Sequence, residues 1–170
     1  MTARVADRGR IAVYRCEDLY SRMCERAHPP GGPVLTEIAG SKVLLPAERK
    51  FADIASIADY IRVLRRSCPE AVWPRSMPEL EVRVRAGHAG AHWEAPGTIA
   101  IPDTPEMMRE HVVLHEVAHH LDHHSGKGPA PAHGPSFRKV LCDLHGAATG
   151  QVGGWALAVL FDQHLPPPKN

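Results

Sequence analysis

The chain has 170 residues, a formal net charge of +1, 44% hydrophobic residues and 23% charged residues. This length predicts a single domain over residues 1–170, and the composition excludes a disordered or fibrous protein. A net charge so close to zero provides no global field for a polyanion, so no nucleic-acid partner is expected. Arg62, Arg65 and Arg66 could form a local basic patch, although a solvated helix face is the simpler interpretation.

The cysteines and the apolar segments indicate where the protein resides. Cys16, Cys24, Cys68 and Cys142 have neither metal-ligand nor disulfide-framework spacing, which predicts reduced and mostly buried thiols. The N-terminus has charged residues before any apolar run, unlike a secretory signal. The most apolar late segment, residues 152–161, is about half of the roughly 20 residues that a membrane span needs. We therefore expect a cytoplasmic protein without a membrane partner.

The N-terminal portion, residues 10–75, is expected to begin with a strand and a helix. Residues 11–14 form a short β-prone run, and residues 17–26 have apolar side chains near helical spacing. A β-prone stretch over residues 34–45 is broken by glycine and serine, which predicts a hairpin. Residues 47–67 place their apolar side chains at steps of three and four, which predicts an amphipathic helix.

The C-terminal portion, residues 76–165, is expected to contain the functional chemistry. Residues 80–85 alternate apolar and charged side chains, as in a strand with one buried face. Residues 92–101 predict a returning strand or a pair of strands. Capping signals at residues 103–106 predict a helix that ends near His124.

Two more helices are predicted beyond a Gly/Pro-rich loop. They cover residues 136–145 and 155–164, and the prolines at 166–168 are expected to end the ordered structure.

The segment His115-Glu-Val-Ala-His119 matches the pattern H-E-x-x-H in the middle of a predicted helix. Residues four apart share one helix face, so the imidazoles of His115 and His119 can bind one ion. Catalytic zinc usually has three protein ligands and one water. Glu116 lies about 100° around the helix from His115 and can accept a proton from that water. The pattern predicts a zinc cofactor and a glutamate general base, with a His-rich helix without metal as the alternative.

The third ligand is the open question. The metzincin extension would need glycine at 122 and histidine at 125, where the chain has Asp122 and Ser125. His123 lies about 12 Å along the helix axis from the first motif histidine, which is too far for one ion. His120 and His124 are expected to point away into solvent.

His133 is the better candidate, because it follows a loop that can fold back and precedes a new helix. The segment His133-Gly-Pro-Ser-Phe137 resembles the H-G-x-x-F element that follows H-E-x-x-H in SprT-like and related minimal zincins. In those proteins its histidine is the third zinc ligand. The resemblance implies that His115, His119 and His133 are the metal ligands, and that Phe137 packs beneath the site.

Over residues 10–165 the chain is similar to a family of small actinobacterial zinc metallohydrolases of undetermined substrate. This resemblance implies an α+β, zincin-like fold, in which a small mixed or antiparallel sheet packs on helices and the metal-binding helix lies beneath the cleft. It also implies that residues 98–101 form the edge strand above the cleft, although a central strand is equally compatible with the sequence. Nothing after His145 resembles the zinc ribbon of SprT-like proteins, so action on DNA-bound protein is not supported.

The leading hypothesis is a zinc metallopeptidase that cleaves a peptide amide bond with metal-activated water. Three alternatives stay open: a hydrolase of a small amide or ester, a non-catalytic module that binds zinc for stability, and a DNA-associated protease. No residue can be assigned to stabilise an oxyanion, because all three tyrosines precede the motif and His92, His120 and His145 have no supporting signal. The substrate and the oligomeric state stay unassigned.

Overall fold

The structure is a computed structural model that describes residue 7 and residues 9–87, 89–126 and 130–165. These ranges contain five helices and two small sheets, a mixed α+β architecture. The helices are α1 (Arg10–Ala27), α2 (Ile54–Ser67), α3 (Glu110–His124), α4 (Pro135–Thr149) and α5 (Gln151–His164). The strands are β1 (Thr36–Ile38), β2 (Ser41–Val43), β3 (Glu81–Val84), β4 (His92–Glu94) and β5 (Thr98–Ile101).

None of the helices in the described ranges combines the length and the apolar character that a bilayer crossing requires. The prolines at 166–168, expected to end the ordered structure, lie outside the described residues.

Helix α1 corrects the first prediction. Residues 11–14, which we expected to form a strand, are the opening turns of a single helix that continues to Ala27. Val13, Cys16, Tyr20 and Cys24 recur at steps of three and four and are all buried. Packing of this face, including its contact with α5, therefore overrides the local β-propensity of the short apolar run.

The hairpin prediction is confirmed, and the following helix is shorter than expected. Strands β1 and β2 pair antiparallel, from Thr36 opposite Val43 to Ile38 opposite Ser41. Helix α2 begins at Ile54 instead of residue 47, because the Asp53 side chain accepts a hydrogen bond from the backbone N–H of Ser56 at 2.7 Å and caps the helix there.

The three-stranded sheet is mixed, and β5 is its central strand. Strand β5 pairs parallel with β3 and antiparallel with β4. Ile99, Ala100 and Ile101 are fully buried, so both faces of β5 are covered. The prediction of two strands in residues 92–101 is confirmed, but the expectation that residues 98–101 form the edge strand is wrong. The edge strands of this sheet are β3 and β4, and β4 is the one that packs against α3.

Helix α3 begins later than predicted. The signals at residues 103–106 belong to a turn, in which the Thr104 carbonyl oxygen accepts hydrogen bonds from the N–H groups of Met107 and Met108 at 3.0 and 2.9 Å. The helix begins at Glu110 and ends at His124, as expected for its C-terminus. It packs against α4 and β4, which places the H-E-x-x-H segment between the helical layer and the edge of the sheet.

Candidate metal centre

The structure brings His115, His119 and His133 together, although His133 comes from outside helix α3. Their candidate ligand atoms lie within 4.8 Å of one another. The Nε2 atom of His115 is 3.1 Å from Nε2 of His119 and 3.2 Å from Nε2 of His133. Tetrahedral zinc with bonds of about 2.0 to 2.1 Å holds its ligand atoms about 3.3 Å apart. The spacing of the imidazoles therefore fits a single zinc ion.

Two carboxylates hold the outer sides of the imidazoles. The Nδ1–H of His115 donates to both oxygens of Glu17, at 2.8 and 3.0 Å, and the Nδ1–H of His133 donates to Asp7 at 2.6 Å. A neutral imidazole protonated at Nδ1 presents an unshared electron pair at Nε2. The Nε2 atoms of His115 and His133 are only 3.2 Å apart, so their unshared electron pairs repel each other unless a cation lies between them. Carboxylates behind ligating histidines are typical of metal sites, where they orient the rings.

Helix α1 and the loop before α4 meet closely at this site. A Cβ atom built on Gly9 would lie 3.0 Å from the carbonyl oxygen of His133, so a side chain there would push the two segments apart. The glycine lets α1 start directly against the third histidine. This contact fixes both Asp7 and Glu17 relative to the imidazoles that they bind.

Phe137 forms the floor of the site, as the resemblance implied. It is fully buried, and its ring centre lies 4.4 Å from that of His119 and 5.0 Å from those of His115 and His133. An apolar floor excludes water from below and leaves the upper side as the route of access.

Burial keeps the imidazoles of His115 and His119 neutral, which is the form that binds a metal. It lowers the pKa of His115 to about 3 and that of His119 to about 2. Burial also raises the pKa of Glu17 to about 8. A bound cation acts in the opposite direction on this carboxyl group, because its positive charge favours the anion.

Glu116 lies beside the histidines and faces the open side. It is 4% exposed, and burial raises the pKa of its carboxyl group to about 8, while a hydrogen bond from the backbone N–H of Trp93 lowers it. The hydrogen bond between Trp93 and Glu116 therefore links helix α3 directly to the edge strand β4.

Two adjoining cavities form a cleft over the site. One, of about 720 Å³, is lined by His119, His133 and Glu116, and the other, of about 770 Å³, by His111, His115 and Glu116. The two cavities meet at the five residues that they share, which are Arg10, Tyr14, Ala91, His92 and Glu116. The cleft thus follows the start of β4 and passes directly over the general-base candidate.

The other histidines of α3 differ in their surroundings. His123 is exposed, as expected, and its ring packs on Trp93 with centres 4.7 Å apart. His124 is half-buried, and its Nε2 bonds to the Pro96 carbonyl oxygen at 2.7 Å. The expectation of a solvated His120 is wrong: it is fully buried, with its Nε2 3.2 Å from a backbone carbonyl oxygen of the segment before β3. The sheet covers that side of α3.

Sequence reasoning missed the contribution of α1 to the site. The Tyr14 ring stacks on His115 with centres 4.9 Å apart and planes inclined by 19°. The Arg10 guanidinium lies over the Tyr14 ring, with Cζ 5.6 Å from the ring centre. Arg10, Tyr14 and Glu17 are spaced four and three residues apart, which is one helix face. This spacing is visible in the sequence, but it defines a helix face only if the helix begins at residue 10.

Comparison of the chain with protein-family models, curated proteins and solved structures finds no match. Its chemistry therefore has to be argued from the site itself.

Proposed function

We propose that this protein is a zinc-dependent hydrolase with a zincin-like arrangement, which cleaves an amide bond in a peptide. The observation that carries the proposal is the convergence of three imidazoles, two of which, His115 and His133, have their outer nitrogens held by Glu17 and Asp7. A site that bound zinc only for stability would be closed by a fourth protein ligand. Among the described residues the ligand group contains three, and it opens into a cleft.

Glu116 is proposed to accept the proton of the attacking water. When bound, zinc lowers the pKa of a coordinated water and polarises the carbonyl group of the substrate. Glu116 lines the cleft next to the histidines, and the Trp93 N–H fixes one side of its carboxylate. A carboxylate with a raised pKa can hold the proton and pass it to the leaving amine.

The free edge of β4 supports a peptide as the substrate. Ala91 and His92 line both cavities, and Trp93 lines the first. An extended chain laid along such an edge gains backbone hydrogen bonds without regard to its sequence, and alternate side chains enter the cavities on either side. A small amide or ester would use the same histidines and Glu116 but would not need both cavities of this cleft.

The test compares Glu116→Gln with the wild-type protein and with the control Glu37→Gln, an exposed glutamate of β1. After zinc loading, each protein is screened against one library of peptides and small esters. We expect Glu116→Gln to keep its zinc and to lose nearly all turnover, because an amide cannot accept the proton, while Glu37→Gln keeps wild-type turnover. Equal turnover by Glu116→Gln and wild type would contradict the general-base role, and turnover of esters alone would contradict a peptidase.

A further inference from the structure

We propose that Arg10 binds a carboxylate of the substrate that lies one or two residues from the reacting carbonyl group. The inference rests on the proposed function and adds a substrate class to it: short peptides or acylated amino acids with a negative charge next to the scissile bond. Arg10 is exposed at the start of α1, and its side chain lines both cavities of the cleft where they adjoin at Glu116.

The charges around the cleft leave Arg10 available. The other basic side chains that line the cavities near Glu116 already contact a carboxylate: Arg109 and His111 contact Glu48, and His92 contacts Glu94. In the described part of the chain, no carboxylate oxygen forms a salt bridge with Arg10 within 4.0 Å. Arg85 lines only the second cavity, and its guanidinium donates to the carbonyl oxygen of Gly90.

The acidic groups next to the metal centre bind the ligand histidines. Glu17 accepts a hydrogen bond from His115, and Oδ2 of Asp7 accepts one from His133. At the point where the cavities join, an incoming carboxylate therefore meets the guanidinium of Arg10, which contacts the Tyr14 side chain and forms no salt bridge with a carboxylate of the described residues. An Arg–carboxylate pair with two parallel hydrogen bonds combines charge with a defined orientation.

The position of Arg10 limits how far the carboxylate can be from the reacting bond. Arg10 Cζ lies 5.6 Å from the centre of the Tyr14 ring, and that ring stacks on His115 at 4.9 Å. These distances place the guanidinium carbon no more than about 10.5 Å from the centre of the His115 ring. One extended residue spans roughly 3.3 to 3.6 Å. Once the distance from the ring to the metal and the two bonding distances are taken into account, at most about two residues fit between the carboxylate and the reacting carbonyl group.

Tyr14 makes this arrangement selective, because the Arg10 guanidinium lies over its ring. Contact with the aromatic face holds the guanidinium plane and reduces the rotamer freedom that binding would otherwise remove. Tyr14 is itself held by its stacking on His115, so the carboxylate subsite is positioned relative to a metal ligand.

The experiment uses a pair of zinc-binding probes that differ in one charge. Succinic monohydroxamate carries a carboxylate at its far end, and the corresponding amide is neutral and nearly isosteric. Binding of both to the zinc-loaded protein is measured by calorimetry for the wild type, Arg10→Ala, Arg10→Lys and Arg15→Ala. Arg15 is the matched control, since it is an exposed arginine of the same helix that lines neither cavity.

We expect the wild type to bind the acid about tenfold more tightly than the amide, as for a charge-assisted pair in a partly enclosed site. In Arg10→Ala the preference should fall below about twofold with the affinity for the amide unchanged, and Arg10→Lys should restore part of it. Arg15→Ala should behave as the wild type does. Equal binding of acid and amide by the wild type, or a preference that survives in Arg10→Ala, would overturn the proposal.

The neutral amide separates this inference from the proposed function. If the amide binds only to zinc-loaded protein, the result supports the metal centre. The ratio of the affinities for the acid and the amide then tests the role of Arg10 alone. If neither probe binds the zinc-loaded wild type, the metal centre itself is wrong and the Arg10 proposal falls with it.

Two blocked dipeptides then identify the source of the carboxylate by competition with the hydroxamate. Acetyl-Ala-Ala has a free carboxyl terminus, and acetyl-Asp-Ala-amide has only a side-chain carboxylate. If a peptide competes with the hydroxamate and Arg10→Ala weakens this competition, the subsite is assigned to the carboxylate that this peptide carries. Competition by neither peptide, or competition that Arg10→Ala leaves unchanged, counts against a peptide carboxylate.

Discussion

Glu17 accepts a hydrogen bond from Nδ1 of His115 at 2.8 Å, although the two residues are 98 positions apart in the sequence. Both side chains are 4% exposed, so the contact is shielded from solvent. The first helix is therefore part of the candidate metal centre and does not merely cover it.

We expect Glu17→Gln to weaken zinc binding about tenfold, and Glu17→Ala about a hundredfold, because the carboxylate orients the ring and raises its basicity. Affinity is measured by competition with a chromophoric chelator, and circular dichroism confirms that the helices are intact. Asp18→Asn serves as the control, since Asp18 is an exposed neighbour paired with Arg22. Unchanged zinc affinity in both Glu17 variants would show that the contact has no role at the metal.

The third ligand has its own test. His133→Ala should lower zinc affinity far more than His123→Ala, because His133 contributes an Nε2 atom 3.2 Å from that of His115 whereas His123 packs on Trp93 at the surface. The same chelator competition applies. Release of zinc by His123→Ala, with retention by His133→Ala, would reverse the assignment.

The motif and the third histidine could be predicted because their signals are local. His115 and His119 share a helix face by spacing alone, and His133 follows a loop whose composition permits a return. Asp7 and Glu17 could not be placed in the same way, because their partners are distant in sequence and a β-prone run at residues 11–14 obscured the helix that carries them. The edge strand was misplaced for a similar reason: a buried apolar strand such as β5 looks the same from sequence at the centre and at the edge.

His145 should make the metal-free protein less stable in acid. Burial lowers its folded pKa to about 3, whereas an unfolded histidine titrates near 6.5. Between these values the unfolded state binds about one more proton, so its contribution to the unfolding free energy falls by up to ~1.4 kcal/mol per pH unit as the pH decreases. Urea unfolding at pH 5 and pH 7 measures this change.

His145→Leu should remove this part of the pH dependence, since neither ring nitrogen of His145 has a hydrogen-bond partner in the described structure. His164→Gln, at an exposed position, is the control. A pH dependence that is identical in His145→Leu and wild type would refute the assignment to His145.

Helices α4 and α5 depend on a close approach at Gly154. A Cβ atom there would lie 2.5 Å from the Cys142 carbonyl oxygen and 2.9 Å from the Gly146 nitrogen, both backbone atoms that cannot move aside. We expect Gly154→Ala to lower the unfolding free energy by ~1 to 3 kcal/mol, measured by urea denaturation. Gly90→Ala, where the added atom meets nothing within 4 Å, should stay within ~0.5 kcal/mol of wild type. Equal stability of the two variants would contradict the tight packing.

The most direct test of the central claim is the metal content of protein purified without chelator and of protein reconstituted with zinc. The account predicts about one zinc per chain, because a single group of three imidazoles is assembled and its nitrogen spacing fits one tetrahedral ion. It also predicts that this zinc is lost in the double variant His115→Ala/His119→Ala. No zinc after reconstitution, or one zinc that the double variant retains, would contradict the account.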